Sequence, residues 1–289
     1  MQTWLNLILE GKLLFMQKKD NVFFTRKIRK DGYVVLRNYL DKRKCTLLKK
    51  KLENYYIKYN KKYASNKIRL NSLANKSLEK VVFNLHNKEL SWLKLFEDKK
   101  ILKIISPLLK EGSYQNNEPF YLNNISARSP LNGNKGQQLH LDSNLAGSNY
   151  CMTINVMWYL DDYNKQDGTT RIVPGSHRFK KYAKNGKKYK NEIFLNGKIG
   201  DVLIFDGNLW HGGSSKSTNT SRWAIILGYA RWFMKPSYDY MLNTPLKFFN
   251  KMSKSQKALL GFHLVPPKDE FTRMRRISKS FEKPYRFMR

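Results

Sequence analysis

The middle of the chain, from Phe120 to Trp232, consists of short apolar runs separated by clusters of Asn, Gly, Asp and Pro. Runs of this length with turn-forming residues between them are typical of short antiparallel strands. Strands at this density favour two packed sheets that form a jelly roll. The sequence therefore predicts a β core in this segment, with the remaining elements packed around it.

Helical patterns flank the β segment on both sides. Asp41 starts the stretch DKRKCTLLKKKLENYYIKY, whose apolar positions predict a helix with one face formed by Leu47, Leu48, Leu52 and Tyr55. Apolar residues three and four apart predict a second helix from about Glu89 to Lys110. The chain turns helical and basic again after Pro236.

The N-terminal stretch MQTWLNLILEGKLLFM is apolar but is interrupted by Glu10, Gly11 and Lys12. We expect a packing or interfacial helix there rather than a secretory signal, because no basic lead precedes the apolar run. No run in the sequence approaches the length of a transmembrane helix.

With 289 residues, of which 41% are hydrophobic, the chain is long enough to bury a large core. We expect one domain over residues 1–289 with three parts. These are an N-terminal helical and β support region (1–115), a jelly-roll core (116–235) and a basic helical extension (236–289). The predicted fold class is α+β, a β core packed by N-terminal and C-terminal helices.

The charge of the chain is strongly unbalanced. Lys and Arg number 55 against 22 Asp and Glu, which gives a formal net charge of +33. Such a charge attracts polyanions, nucleic acids included. The basic residues are spread from end to end, without the aromatic signature of RNA binding or the spacing of a zinc finger. A compositional bias is therefore the favoured interpretation, and nucleic-acid binding stays open as the other.

The two cysteines, Cys45 and Cys151, lie far apart in segments that we interpret as core. This pattern indicates free buried thiols in a reducing compartment rather than a disulfide framework. We therefore expect a cytoplasmic protein.

Two histidines occur in settings that suit a metal ion. His140 and Asp142 form an H-x-D in QQLHLDSN, and His211 ends the strand-like run GDVLIFDGNLWHGG. On a strand, His140 and Asp142 point to the same face. Two imidazoles and one carboxylate hold one face of Fe(II) and leave positions open for other ligands. An isolated H-x-D is more often a surface pair, but the second histidine favours a metal site.

The other histidines are weaker candidates. His86 and His263 lie in helical settings without a motif. His177 is the main competitor as a ligand, and it follows Pro174 and Gly175 in a turn sequence.

Arg222 is a candidate for binding the far carboxylate of a 2-oxo acid. It opens the apolar run RWAIILGYARW, and positions of the same strand parity are small or apolar: Ala224, Ile226, Gly228 and Ala230. Such a row leaves room for a long side chain and a ligand, and a guanidinium can grip a carboxylate bidentately. The alternative is a solvated edge arginine. Arg231 has the opposite parity and is a poor substitute.

Several segments, in order, resemble the phytanoyl-CoA dioxygenase family of Fe(II)/2-oxoglutarate oxygenases. They are DGYVVLRNYL near residue 31, H-L-D at 140, MWYLDDYNKQDGTTRIVPGSHRF from 157, and GDVLIFDGNLWHGGSS from 200, followed by SRW. Together they span roughly residues 30–232, and the combination is far more specific than H-x-D alone. The resemblance implies a double-stranded β-helix, a cupin-like jelly roll whose barrel mouth carries the metal.

The resemblance also implies an activity. By this resemblance, His140, Asp142 and His211 are expected to hold Fe(II), Arg222 is expected to bind 2-oxoglutarate, and O2 is expected to be the oxidant. A small organic substrate, with an anionic one as an option, is hydroxylated, and succinate and CO2 are released. Halogenating relatives replace the carboxylate with a small residue, so Asp142 favours hydroxylation. In the family, the histidine of P-G-S-H, here His177, does not bind metal.

Two further positions are proposed as cosubstrate contacts. Trp158 matches a family position where an aromatic lies along the cosubstrate, and a core tryptophan is an equal alternative. Asn123 and its neighbour Asn124 are candidates for an amide that bonds the metal-proximal carboxylate of the cosubstrate. Sequence alone does not fix their register.

Two other function classes stay open. One is a non-redox metal-binding cupin, such as a Zn- or Mn-dependent hydrolase or isomerase. The other is a basic polyanion-binding protein on an oxygenase fold. Intact ligands and Arg222 favour the oxygenase over both, while the sequence leaves the substrate unidentified.

Overall fold

The computed structural model describes residues 20–65, 78–116 and 118–262. The expected N-terminal helix in MQTWLNLILEGKLLFM, His263 and the basic C-terminal segment FTRMRRISKSFEKPYRFMR lie outside these residues.

The described part of the chain contains nine strands and six α-helices. The helices are α1 (20–31), α2 (Lys42–Ser65), α3 (Leu93–Phe96), α4 (Lys99–Leu109), α5 (Leu246–Phe249) and α6 (Lys254–Leu259). The strands are β1 (Tyr33–Leu36), β2 (Glu79–Phe83), β3 (Phe120–Pro130), β4 (Thr153–Tyr159), β5 (Thr170–Ile172), β6 (Ile193–Leu195), β7 (Val202–Asp206), β8 (His211–Gly213) and β9 (Ala224–Arg231).

The strands form two antiparallel sheets. The large sheet has the order β1-β7-β4-β9-β3-β2, and the small sheet has the order β6-β5-β8. The predicted combination of an antiparallel β core with helices is confirmed. The finer assignment of a jelly roll stays a proposal that the two packed sheets support.

Each face of the large sheet has its own core. Alternate residues of β4 divide between the faces, as the period of two requires. Met157 packs with Phe205 of β7 and with Ile172 of β5, so this inner face lies against the small sheet. Val156 and Trp158 pack on the outer face together with the helices.

Helix α2 agrees with its prediction except for one residue. The Asp41 carboxylate accepts hydrogen bonds from the backbone N–H groups of Arg43 and Lys44, so it caps the helix as expected. Leu48 and Leu52 are buried, but Leu47 is 63% exposed. The prediction for Leu47 was wrong because Leu47 directly precedes Leu48 and, at 100° per residue, the two cannot share a narrow face.

The helix predicted from Glu89 to Lys110 is divided. A 3₁₀ turn at Leu90–Trp92 and the short α3 precede α4. The break lies at Asp98, whose carboxylate accepts hydrogen bonds from the N–H groups of Lys100 and Ile101 at the start of α4. None of the helices in the described residues is long and apolar enough to cross a membrane.

Candidate metal centre

His140, Asp142 and His211 converge at one end of the small sheet. His140 and His211 exchange backbone hydrogen bonds of 2.9 and 3.0 Å, so they are opposite each other across an antiparallel bridge. Asp142 is anchored by a 2.7 Å bond from its N–H to the carbonyl oxygen of Gly207. The two histidines, which are distant in the sequence, are thereby neighbours, and their ring centroids lie 4.4 Å apart.

The side chains are oriented as metal ligands require. Nδ1 of His140 lies 2.9 Å from the carbonyl oxygen of Gln138, and Nδ1 of His211 lies 2.9 Å from that of Leu209. A hydrogen bond at Nδ1 leaves Nε2 with its lone pair free for a metal. Both Nε2 atoms face Asp142, each 3.4 Å from one of its carboxylate oxygens.

The carboxylate is held in place by an amide. Nδ2 of Asn155, on the inner face of β4, donates a 2.9 Å hydrogen bond to Oδ2 of Asp142. Burial alone would raise the pKa of Asp142, but the two imidazoles hold this pKa well below its usual value. Burial would lower the pKa of His140, and the hydrogen bond and charge of Asp142 outweigh it, so that this pKa is raised.

This donor set fits a divalent metal ion. One ligand atom from each of the three residues can be chosen so that all lie within 4.8 Å of one another. Two imidazoles and one carboxylate are the donors that Fe(II) takes in 2-oxo acid oxygenases. His177 is not part of this group, because its Nε2 lies 3.0 Å from the carbonyl oxygen of Arg29.

A cavity of about 260 Å³ opens beside the three ligands. Its walls include the apolar side chains of Met157, Phe205 and Ile226 from the inner face of the large sheet. Arg222 lines the same cavity. The metal ligands and the predicted cosubstrate arginine therefore share one space.

Arg222 is buried, with 5% of its surface exposed. Its Nε has no hydrogen-bond partner, and no acidic side chain within the described residues forms an ion pair with it. The parity argument places it correctly, since Ala224 and Ile226 also face inward. A desolvated guanidinium without a carboxylate partner is suited to an anionic ligand.

Arg231 points away from this cavity. Its guanidinium donates hydrogen bonds to the backbone carbonyls of Leu108, Glu111 and Cys151. It therefore fastens the C-terminal end of α4 to the large sheet, which agrees with its opposite strand parity.

Trp158 does not line the cavity. It lies on the outer face of β4, 1% exposed, with its ring 5.7 Å from that of Tyr39. Its inward-facing neighbour Met157 takes the place beside the metal ligands. The proposed cosubstrate contact is corrected accordingly, and the alternative of a core tryptophan agrees with the packing.

A β-bulge decides the position of the two asparagines. The pairing of β3 with β9 shifts between Leu122 and Asn124, which leaves Asn123 without a partner in the ladder. Asn124 lines the cavity, whereas Asn123 places its Oδ1 over Gly228, where it has no hydrogen-bond partner among the described residues. The prediction for Asn123 is therefore wrong, and Asn124, the other candidate, is the one of the two that lines the cavity.

Several polar residues at the site were missed. Asn155 could have been noticed as the one amide in the buried strand TINVMWY. Arg128 and Glu79 line the cavity as an ion pair of 2.9 Å, and only the cross-strand pairing of β2 with β3 reveals it. Tyr163 lies beneath Arg222 and has no sequence signal that we can identify.

Comparison with known proteins agrees with this geometry. The family model described as phytanoyl-CoA dioxygenase matches residues 28–224. Relatives include the Fe(II)/2-oxoglutarate-dependent dioxygenase nvfF of Aspergillus novofumigatus, 33% identical over 38% of this chain and 36% of its own length. The multifunctional dioxygenase prhA of Penicillium brasilianum is 28% identical over 45% of this chain and 48% of its own length. The chain thus spans less than half the length of these curated relatives.

Solved structures add a similarity of fold. HygX of Streptomyces hygroscopicus, with nickel and 2-oxoglutarate bound, has a TM-score of 0.55 and 16% identity. The similarity covers 72% of this chain and 86% of HygX. Because the family model matches residues 28–224, more than half of the chain, and the ligand set is intact, the chain belongs to the phytanoyl-CoA dioxygenase family.

Proposed function

We propose that this protein is an Fe(II)- and 2-oxoglutarate-dependent dioxygenase that hydroxylates a small organic substrate and releases succinate and CO2. One observation carries the proposal. A complete set of two imidazoles and one carboxylate shares a cavity with a buried arginine that has no acidic partner among the described residues.

His140, Asp142 and His211 would hold Fe(II), and bound iron with 2-oxoglutarate and O2 supplies the oxidising chemistry. The protein contributes orientation. The carbonyls of Gln138 and Leu209 fix the imidazoles. The three ligands would leave the side of the metal that faces the cavity free for the cosubstrate.

The cosubstrate would lie between the metal and Arg222. The guanidinium would pair with the 5-carboxylate, because that charge neutralises a buried cation. The amide of Asn124 would hydrogen-bond the metal-proximal carboxylate. Met157, Phe205 and Ile226 cover the inner wall with apolar surface, which excludes water from the reacting groups.

The substrate would occupy the part of the cavity lined by Arg128 and Glu79. Glu79 accepts a hydrogen bond from one guanidinium nitrogen of Arg128, and the other donors of this group have no partner in the described residues. A planar guanidinium with open donors binds oxyanions. We therefore propose that the substrate carries an anionic group. A structure of HygX contains hygromycin B, which supports a small molecule as the substrate class.

The two cysteines are free and buried. Unpaired thiols suit a reducing compartment, so we propose a cytoplasmic location.

Succinate release tests the function. The purified protein with Fe(II), O2 and 2-oxoglutarate is incubated with metabolite fractions separated by charge. We expect succinate above the level without extract only when all three components are present, and in an anionic fraction. Fe(II)-independent turnover, or no metal-dependent binding of 2-oxoglutarate, would favour the non-redox alternative instead. Stimulation confined to neutral or cationic fractions would contradict the anionic substrate.

A further inference from the structure

The guanidinium of Arg222 lies on a stack of two tyrosines. Its Cζ is 4.3 Å from the ring centroid of Tyr163. Tyr163 in turn stacks on Tyr159, with ring centroids 4.2 Å apart and an interplanar angle of 26°. We propose that Tyr163 is a positioning residue, which holds Arg222 flat and aimed at the distal carboxylate of the cosubstrate. This inference rests on the proposed function.

The stack is fixed at several points. The Tyr163 hydroxyl donates a 2.6 Å hydrogen bond to the carbonyl oxygen of Trp223, the residue after Arg222. The backbone of Tyr163 exchanges bonds of 2.8 and 3.0 Å with Gly197. A Cβ on Gly197 would lie 1.9 Å from the Tyr159 ring, so only glycine permits the stack at this point. The ring therefore has little freedom to follow a moving guanidinium.

Two carboxylates close to Tyr163 in the sequence, those of Asp161 and Asp167, are already engaged. Asp167 accepts hydrogen bonds from Thr218 and Thr220 and lies 3.7 Å from the buried ammonium of Lys216. Asp161 pairs with Lys49 and accepts a bond from the N–H of Trp223. Neither of them forms an ion pair with Arg222.

An aromatic face is well suited to this task. It attracts a cation without neutralising it, whereas an aspartate would compete with the ligand for the same donors. Tyr163 can thus stabilise the buried charge of Arg222 before the cosubstrate binds, and the hydrogen-bond donors of the guanidinium stay available for the cosubstrate. This role predicts a selective effect on cosubstrate binding. Tyr163 should contribute to affinity only for 2-oxo acids that carry a distal carboxylate.

Two probes separate this role from a structural one. Binding of 2-oxoglutarate and of 2-oxobutyrate, which lacks the distal carboxylate, is measured by calorimetry on the full-length Mn(II)-loaded protein without O2. We expect Tyr163→Leu to weaken 2-oxoglutarate binding about 10-fold, as loss of a desolvated cation–π contact implies. Binding of 2-oxobutyrate should stay unchanged. Tyr163→Phe keeps the ring, so its affinity for 2-oxoglutarate should stay within about 2-fold of wild type.

A second variant acts from the other side of the contact. Arg222→Lys keeps the charge but loses the planar group, and we expect it to weaken 2-oxoglutarate binding similarly while 2-oxobutyrate binding is retained. Arg222→Lys also tests the contact between Arg222 and Tyr163 if Tyr163→Leu does not fold.

The outcomes are distinct. Equal losses for both acids in Tyr163→Leu, or unchanged 2-oxoglutarate binding in Tyr163→Leu or Arg222→Lys, would overturn the positioning role while the proposed function stands. If the wild-type protein binds 2-oxobutyrate as tightly as 2-oxoglutarate, the distal carboxylate adds nothing to binding. Arg222 then does not bind it, and the inference is wrong. If it binds neither acid, the proposed function fails as well.

Discussion

At the scale of single residues, both metal-binding imidazoles are oriented in the same way. Each Nδ1 bonds to the backbone carbonyl two residues earlier in the chain, Gln138 for His140 and Leu209 for His211. The ligand types could be predicted from H-x-D and a distant histidine. Their orientation could not, because it depends on backbone conformation rather than on residue identity.

The carboxylate ligand gives the first prediction. Asp142→Gly removes one of the three donors, and the resulting position could accept chloride. We expect hydroxylation to be lost even with excess chloride, measured by mass spectrometry of the product and by succinate release. Hydroxylation at the wild-type rate would mean that another carboxylate is the third ligand. Asp161 and Asp167 are engaged elsewhere, which makes them poor substitutes.

The second prediction concerns the cosubstrate arm. Removing one partner of a buried charge pair costs roughly 2–5 kcal/mol, so Arg222→Ala should raise the 2-oxoglutarate requirement by roughly 30-fold or more. Iron binding should change little, since Arg222 is not among the three metal ligands. The concentration dependence of succinate release measures the effect.

Arg43→Ala is the matched control for this variant. Arg43 is exposed on α2 and does not line the cavity, so its loss should not alter the requirement. An equal requirement in wild type and Arg222→Ala would show that the arginine binds no carboxylate of the cosubstrate.

At the scale of elements, strand parity was the most useful information in the sequence. Parity placed Arg222 on the inner face of the large sheet and Arg231 on its outer face, because successive side chains of a strand point to opposite faces. Trp158 was assigned to the site from its position in the family resemblance and not from parity. Its neighbour Met157 is the residue that faces the cavity. The bulge at Asn123 could not be predicted, since it depends on pairing with β9.

Arg231 provides the third prediction. It donates to three backbone carbonyls, one in the last turn of α4 and one two residues beyond that helix, and is 5% exposed. Arg231→Ala leaves these buried acceptors without a donor, so we expect unfolding free energy to fall by about 2 kcal/mol or more. The 2-oxoglutarate affinity of the folded protein should stay the same. Denaturant unfolding measures the first quantity, and wild-type stability in this variant would contradict the fastening role.

At the scale of the whole molecule, the packing of the two sheets brings His140 and His211 together across an antiparallel bridge. This proximity could be predicted from the sequence, because the expected fold places strands that are distant in the sequence side by side. The sequence did not predict the Arg128–Glu79 pair, which requires the neighbouring strands β2 and β3 in register. Nucleic-acid binding by the net charge of +33 stays the less favoured interpretation.

The fourth prediction concerns pH. His86 is fully buried and its Nε2 lies 2.6 Å from Oδ1 of Asn243. Burial lowers the pKa of His86 to about 4. The unfolded chain therefore binds this proton more readily than the folded protein, and stability is lost as pH falls from the unfolded pKa of about 6.5 toward the folded value.

Between about pH 7 and about pH 5 this effect should cost about 2 kcal/mol in wild type. His86→Gln, which cannot titrate, should lack this part of the pH dependence in denaturant unfolding. Parallel pH profiles for the two proteins would show that His86 protonates as easily when folded as when unfolded.

Iron retention by four single variants tests the metal assignment most directly. The chain is loaded with Fe(II) without O2 at neutral pH, passed through a desalting column and analysed for bound iron. His140→Ala, Asp142→Ala and His211→Ala each remove one of three converging donors, so they should lose nearly all iron. His177→Ala, outside the donor set, should retain it as the wild type does. Equal iron in all four variants would contradict the metal centre proposed here.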